Sequence, residues 1–305
     1  MLMTLAFVSI FILGYLAQTS GLCMVRGVKE LTAGKPLFLI AIFFSGSFAW
    51  LPLLVAQISG HGFASSSLMP TYLTLVGGLL FGMGAAFNGG CGVSTISRLT
   101  RGHVSMLATV VGWLTSWFLL YELYTFSVVR EEIEISSFVV FTGLGLLSIT
   151  LLILVVRYEH EDKNKCLMIL GIGVMAGLVF VFEHGWTPSS ILKDASLSTW
   201  TDNGDVTFPA LHRFILIALL ALGMVAAAVI TKTFSFDSPN VIEIGKHYLA
   251  GILMGFGAAM AGGGNDSQLL VALPSFSLSG LVAVVAIIFG IWFGLKLKSL
   301  KRSAS

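Results

Sequence analysis

Charge is scarce in this chain. Asp, Glu, Lys and Arg make up 10% of its 305 residues, where a soluble domain carries about 25%. Hydrophobic residues make up 56% and the mean hydropathy is +0.94, so the expected fold class is an all-α integral membrane protein. Cysteine is scarce too. Cys23, Cys91 and Cys166 are too few and too scattered for a disulfide scaffold or a zinc site, and no metal or cofactor is expected. No basic arm is present, which excludes nucleic acid as a partner. The N-terminus has no positive n-region and no small-residue cleavage site, so residues 1–16 read as a retained span. Ser94 and Ser97 lie near glycines, but no histidine motif accompanies them. The nucleophile, base and oxyanion set of a serine hydrolase is missing, and an enzyme is not expected.

What the chain does have is glycine at telling places. Gly82-Met83-Gly84-Ala85-Ala86-Phe87-Asn88-Gly89-Gly90-Cys91-Gly92 returns, altered, as Gly255-Phe256-Gly257-Ala258-Ala259-Met260-Ala261-Gly262-Gly263-Gly264-Asn265, 173 residues later. Each copy closes a long apolar run. A duplicated, glycine-broken hydrophobic segment marks a transporter or channel built from repeats, with its substrate near the bilayer midplane. About nine transmembrane helices are expected, over 1–18, 37–59, 69–88, 104–126, 136–156, 166–184, 209–231, 244–263 and 277–297. Four connections, 20–34, 89–102, 185–197 and 262–275, are too apolar and glycine-rich for ordinary loops. They read as short re-entrant half-helices, tolerated at that depth only inside protein or beside a watery cavity.

The halves correspond in order. Cys23 falls opposite Thr187, and Cys91 opposite Gly264. The expected division is a first repeat at 1–126, a linking span at 136–156 and a second repeat at 166–300. One linking span turns the second repeat over, so the repeats are inverted. Fourteen basic residues, from Arg26 to Arg302, fall on one side, and Arg130, Lys193 and Arg213 fall on the other. Discounting Arg26, Lys29, Arg98 and Arg101 on re-entrant segments leaves ten against three. The positive-inside rule then puts the N-terminus outside and the C-terminus in the cytoplasm. The acidic Glu131, Glu132, Glu134, Asp194, Asp202 and Asp205 of the outer side count little in it.

Cys91 is the leading candidate for chemistry. It stands between Gly90 and Gly92, where backbone can approach a ligand closely. The following half-helix aims its amide end at the break, a place for an anion. A thiol there is small, polarizable and a weak donor, suited to a soft sulfur atom; the competing reading is a cysteine that only packs. Cys23 lies at the first break. Cys166 opens the sixth span and belongs to no break. Asn88, Asn265 and Asp266 are polar groups at membrane depth, either functional or tying down broken backbone. Asp266 either holds a coupling cation or caps the half-helix after Gly264. Glu183-His184 is either a proton-coupling pair or an interfacial pair satisfied by backbone. Arg98, Arg101 and His103 either anchor a half-helix or receive an anion leaving inward.

On Gly21-Leu22-Cys23, Asn88-Gly89-Gly90-Cys91-Gly92 and the repeated Gly-x-Gly-Ala-Ala run, the chain resembles the YeeE/YedE family of bacterial inner-membrane sulfur-compound transporters. The resemblance implies an hourglass-like fold of inverted repeats whose re-entrant helices meet at the centre. It also implies thiosulfate-type uptake, with cysteines handing the anion inward through S–H to sulfur contacts. Thiosulfate members carry a further cysteine in the second half. Here that break reads Gly262-Gly263-Gly264-Asn265-Asp266, so the cargo is expected to be thiosulfate or a related sulfur ion. The expected pathway comprises Cys91, Cys23, Asn88, Gly90, Gly92, Gly264, Asn265, Asp266 and Thr187, with Arg98, Glu183 and His184 at exit or in coupling. Expected partners are the small anionic substrate, the lipid bilayer and a cytoplasmic sulfur-carrier protein. The alternative is a channel or cation-coupled transporter for another small solute, using Asp266 or Glu183 and His184.

Overall fold

A computed structural model describes residues 2–60, 66–120, 132–157, 163–199 and 208–303. The described chain is almost wholly helical: α1 Leu2–Ser20, α2 Met24–Thr32, α3 Leu37–Phe43, α4 Trp50–Ile58, α5 Tyr72–Asn88, α6 Gly92–Leu99, α7 Met106–Leu119, α8 Ser137–Arg157, α9 Lys163–Phe182, α10 Pro188–Ser198, α11 Leu211–Ile230, α12 Val241–Ala261, α13 Asn265–Ser267 and α14 Leu278–Ser303. Two three-residue strands, β1 Ser66–Leu68 and β2 Glu132–Glu134, pair antiparallel with Ser67 opposite Ile133. Arg130, Glu131, Asp202, Asp205 and the end of the fourth expected span lie outside the described residues.

Among the described residues, seven helical stretches are long and apolar enough to cross a membrane. The apolar α7, at 14 residues, is shorter. α12 runs 21 residues but carries Glu243, Lys246 and His247 in its first turns. This is an all-α, multi-pass membrane protein. Large apolar side chains such as Leu146, Ile149, Val229 and Phe289 are exposed, as lipid-facing positions are.

Close backbone approach at small residues recurs through the bundle. α5 packs on α12 and α14, α12 on α7, and α1 on α9 and α11. Gly14 faces the carbonyl of Leu220, and Gly223 faces that of Phe11, so a Cβ at either place would collide with α11 or α1. Gly78 and Gly82 face α14, while Gly251 and Gly255 face α7. Such small-residue seams let helices approach in lipid, where no hydrophobic drive acts between them.

One span departs from the expectation. Residues 37–59 are not a continuous helix; α3 stops at Phe43 and a 3₁₀ turn at Ser47–Ala49 leads into α4. The cause is remote in sequence. Gly46 lies against the Leu269 carbonyl and the Pro274 ring, with no room for a Cβ. The freed backbone is repaired by α8, whose Ser148 hydroxyl donates to the Ser47 carbonyl at 3.2 Å and accepts from Trp50 Nε1 at 3.2 Å.

Candidate functional site

Three of the four breaks stop a span with a left-handed glycine. Gly89 has φ 75°, Gly262 has φ 85° and Gly21 has φ 67°. At the first of these, Gly90 N–H reaches the Ala85 carbonyl at 3.0 Å, and at its counterpart Gly263 N–H reaches Ala258 at 2.8 Å. This is the Schellman closure, which needs φ above zero at the residue glycine supplies. The fourth break uses Pro188 at the first helical position after Thr187, where the missing N–H costs nothing. The chain then re-enters as α2, α6, α10 and α13. α2, α6 and α10 have 9, 8 and 11 residues, or about 12 to 16 Å of rise, half a bilayer core. α13 is one turn, continued by a π-helical turn over Gln268–Ala272.

The four tips touch one another through polar side chains. Cys23 caps α2 and its thiol donates to Ser94 Oγ of α6 at 3.4 Å. Ser94 donates to the Cys91 carbonyl at 3.1 Å and stands 3.5 Å from Cys91 Sγ. Gly92 N–H donates to Asn265 Oδ1 at 3.1 Å, tying α6 to α13. These two residues are themselves counterparts at the 173-residue offset. Asp266 Oδ2 accepts from Ser189 N–H at 2.9 Å, tying α13 to α10. Gly264 N–H donates to Ser189 Oγ at 3.2 Å. Ser267, the counterpart of Ser94, lies 2.7 Å from Thr187 Oγ1 and 2.8 Å from Ser189 Oγ. The Cys23–Ser94 contact of one half therefore becomes Thr187–Ser267 in the other. Cys91, Thr187 and Asn265 are each 1% exposed, so the junction is closed to bulk water.

Several expected roles change. Asp266 is a cap, but of α10 through Ser189 and not of its own helix, because Gly264 holds that position. Asn88 ties broken backbone. Its amide donates to Gly90 O and Thr95 Oγ1 at 3.1 and 3.0 Å, and its oxygen accepts from Thr109 at 2.9 Å and meets His247 Nδ1 at 2.7 Å. That uses its full hydrogen-bonding capacity. Glu183 pairs not with His184 but with His212 Nε2 at 2.7 Å, and it accepts from Gly185 N–H at 3.0 Å. Arg213 stands 3.9 Å from the same carboxylate. Burial pushes the Glu183 carboxyl up, but those hydrogen bonds and the Arg213 charge outweigh it and hold the group below its usual range. His184 instead meets the Phe180 ring edge to face, centroids 4.4 Å apart. Arg98 reaches back over Gly89, on the side where His247 meets Asn88. His103 meets Asp237 at 3.4 Å, and Arg101 donates to the Gln18 carbonyl at 3.5 Å. Cys166 lies wholly buried in the first turn of α9, outside every break.

Residues not singled out beforehand complete the site. A cavity of about 50 Å³ lies beside the junction, lined by Gly92, Val93, Trp113, Trp186, Ser189 and Asp266 among others. An adjoining crevice of about 10 Å³ reaches Cys91, Ser45 and Asn265, and Asp266 and Val93 border both. Trp113 sits on α7, read only as an apolar span, and Trp186 in the third break, between α9 and α10; nothing in their local pattern marks them as site residues. Ser267 was findable, since the repeat offset leads to it from Ser94.

The sulphur transport family model matches residues 19–165 and 164–293. The chain belongs to the sulphur transport family. The two matched stretches of this sulphur transport protein meet at the start of α9. Among its relatives, the thiosulfate transporter TsuA of Escherichia coli (strain K12) is 22% identical, over 92% of this chain and 90% of its own length.

Proposed function

We propose that this protein takes up a small sulfur-containing anion, thiosulfate or a related ion, through the junction of the four half-helix tips. The observation that carries the reading is the pair of thiols, Cys23 and Cys91, joined through Ser94 where α2 and α6 meet. A thiol is a weak donor with a polarizable sulfur, so it matches a soft sulfur atom better than a hard oxygen. The helix tips that present the thiols carry the positive end of the backbone dipole, which favours an anion. Both features sit on glycine-broken backbone inside a membrane protein, as expected of a substrate path.

The same proposal includes the architecture of two inverted repeats, 1–126 and 166–300, around the linking span 136–156. The matched left-handed glycines at Gly89 and Gly262 support it, as does the hydrogen bond from Gly92 N–H to its counterpart Asn265. It also includes an inner-membrane location with the N-terminus outside, on the distribution of basic residues. Arg98, near the cytoplasmic end of α6, is read as an exit contact. A sulfur-carrier protein that accepts the ion inside the cell belongs to the same reading. The relative's name concerns thiosulfate, which makes thiosulfate the first ion to try.

The test is uptake of labelled thiosulfate by cells or proteoliposomes containing the protein, with excess sulfite, sulfate or selenite as competitors. Saturable uptake that is blocked by sulfur anions supports the reading. No uptake of any sulfur anion by folded protein removes it.

A further inference from the structure

Three residues that line the cavity beside the junction carry buried polar atoms that the fold leaves unused. The indole N–H groups of Trp113 and Trp186 and the Oδ1 of Asp266 are buried without a hydrogen-bond partner. Their residues are 5%, 2% and 5% exposed, and all three line the same 50 Å³ space. Buried polar groups are normally satisfied, so three orphans around one cavity point to a bound guest. At about 10 to 15 Å³ for each water-sized group, the space holds roughly three to five such groups. That is enough for a small oxyanion head or a few waters.

The guest is constrained by charge. Two indole N–H groups are donors only and suit the oxygens of an oxyanion. An ionised carboxylate beside them repels the same guest, and burial strengthens the repulsion. Among the described residues, Asp266 is the one titratable residue lining the cavity. The surrounding elements bring Tyr15 on α1, Arg98 on α6, Lys193 and Asp194 on α10, and His212 and Arg213 on α11, none of which lines it. Asp194 and Arg213 are paired with each other at 2.8 Å. The Cys91 thiol lies on the adjoining crevice, which Asp266 also borders. No basic side chain among the described residues lines the cavity to offset the carboxylate. A proton offsets it, and converts Oδ1 from a repelling acceptor into a third donor. The other oxygen, Oδ2, stays engaged with Ser189 N–H, so the group keeps its place in both states.

We propose that Trp113, Trp186 and a protonated Asp266 form an oxyanion subsite, and that each anion crosses with one proton carried on Asp266. This rests on the transport reading above and adds its coupling ion. The proton enters from the side on which the anion enters and is released with it on the other side.

The experiment uses purified full-length protein in proteoliposomes with a trapped pH-sensitive dye. Thiosulfate is the probe, because it is fully ionised near neutral pH and carries no proton of its own. Its addition should acidify the lumen of wild-type vesicles. Uptake should fall about ten-fold per pH unit once the pH exceeds the pKa of the site. Asp266→Asn keeps an oxygen for Ser189 N–H and supplies a permanent donor in place of the proton. This variant should retain exchange of labelled thiosulfate, while acidification and the pH slope disappear. Trp113→Phe and Trp186→Phe keep the ring and lose the N–H; each should raise KM about ten-fold, the worth of one hydrogen bond to a charged group. Thiosulfate uptake by wild-type protein without acidification overturns the inference alone and needs no variant. Acidification that persists in Asp266→Asn, or unchanged KM in both tryptophan variants, overturns it too and leaves the cavity to water. Absence of any thiosulfate uptake by wild-type protein removes the transport reading, and this one with it.

Discussion

Replacing Cys91 by alanine separates a transporting thiol from a packing one. The residue is 1% exposed, so the substitution deletes one fully enclosed heavy atom. The transfer cost is about 0.8 kcal/mol, that of a buried methylene-sized group. The void, on the order of 25 Å³ before relaxation, adds roughly 0.6 kcal/mol at about 24 cal/mol per Å³. A total near 1 to 1.5 kcal/mol leaves a protein of ordinary stability folded. Ser94 loses little, because its hydroxyl donates to the Cys91 carbonyl, which stays. Transport should suffer more than folding. Losing one net hydrogen-bond-like contact to the substrate is worth about 1 kcal/mol or more, some five- to ten-fold in kcat/KM, and Cys23 has no second thiol to hand the ion to. Cys91→Ser decides the chemistry. It restores a hydroxyl donor without a soft sulfur, so recognition of substrate sulfur makes it fail nearly as badly as alanine. Rescue by serine means oxygen is recognised. The assay is thiosulfate uptake per folded protein, with folding monitored by size-exclusion profile and thermal midpoint. Cys166→Ala, outside every break, is the control and should leave uptake unchanged. Full uptake in Cys91→Ala refutes the reasoning, because the thiol then only packs.

Gly89→Ala and Gly262→Ala should each destabilise by about 1 to 2 kcal/mol, because both positions are left-handed; thermal unfolding in detergent measures it, and a neutral effect at either site contradicts the matched caps. Glu183 is held below its usual range, so its stabilising share is present above the unfolded-state pKa, about 4.3, and is lost as pH falls through the lower folded value. His212→Phe removes its closest partner, and the acid limb of the midpoint–pH curve should move to higher pH; an unmoved limb means the pair is idle. Reporter fusions after Ser303 and near Asp202 should report cytoplasm and exterior respectively; an external C-terminus defeats the proposed orientation.

The half-helices were legible in the sequence because their causes are local. A glycine that must be left-handed, or a proline that must begin a helix, acts on its own few residues. Contacts between distant segments were not legible. The break in the second span depends on Leu269 and Pro274 pressing on Gly46, more than 200 positions away. Asp266 accepts from Ser189 N–H, 77 positions earlier in the chain, so the helix end it meets was not legible from its own neighbours. Glu183 was matched to the adjacent histidine, yet it faces His212 on the neighbouring helix. Neighbours in sequence at a helix end point about 100° apart, so adjacency is a poor guide to pairing there. The tryptophan N–H groups were invisible for a different reason: a buried tryptophan announces only bulk until its polar edge is found unsatisfied.

In the proposed two-repeat reading, the two halves share one scaffold with different chemistry. The first half places Cys23, Ser94 and Cys91 at its tips; the equivalent positions in the second half are Thr187, Ser267 and Gly264. Two thiols have become one hydroxyl and no side chain at all. The second half supplies instead Asn265, Asp266 and Ser189, all oxygen ligands or amide groups. A symmetric ion gains nothing from that division. An ion with a soft sulfur at one end and hard oxygens at the other can satisfy both halves at once, with its sulfur on the thiol side and its oxygens on the polar side. Thiosulfate has that shape and sulfate does not. If the division of chemistry sets selectivity, sulfate should compete weakly even in large excess, while selenium or sulfur analogues that keep one soft end should compete well. Equal competition by sulfate would mean that the cysteine half makes no use of its sulfur.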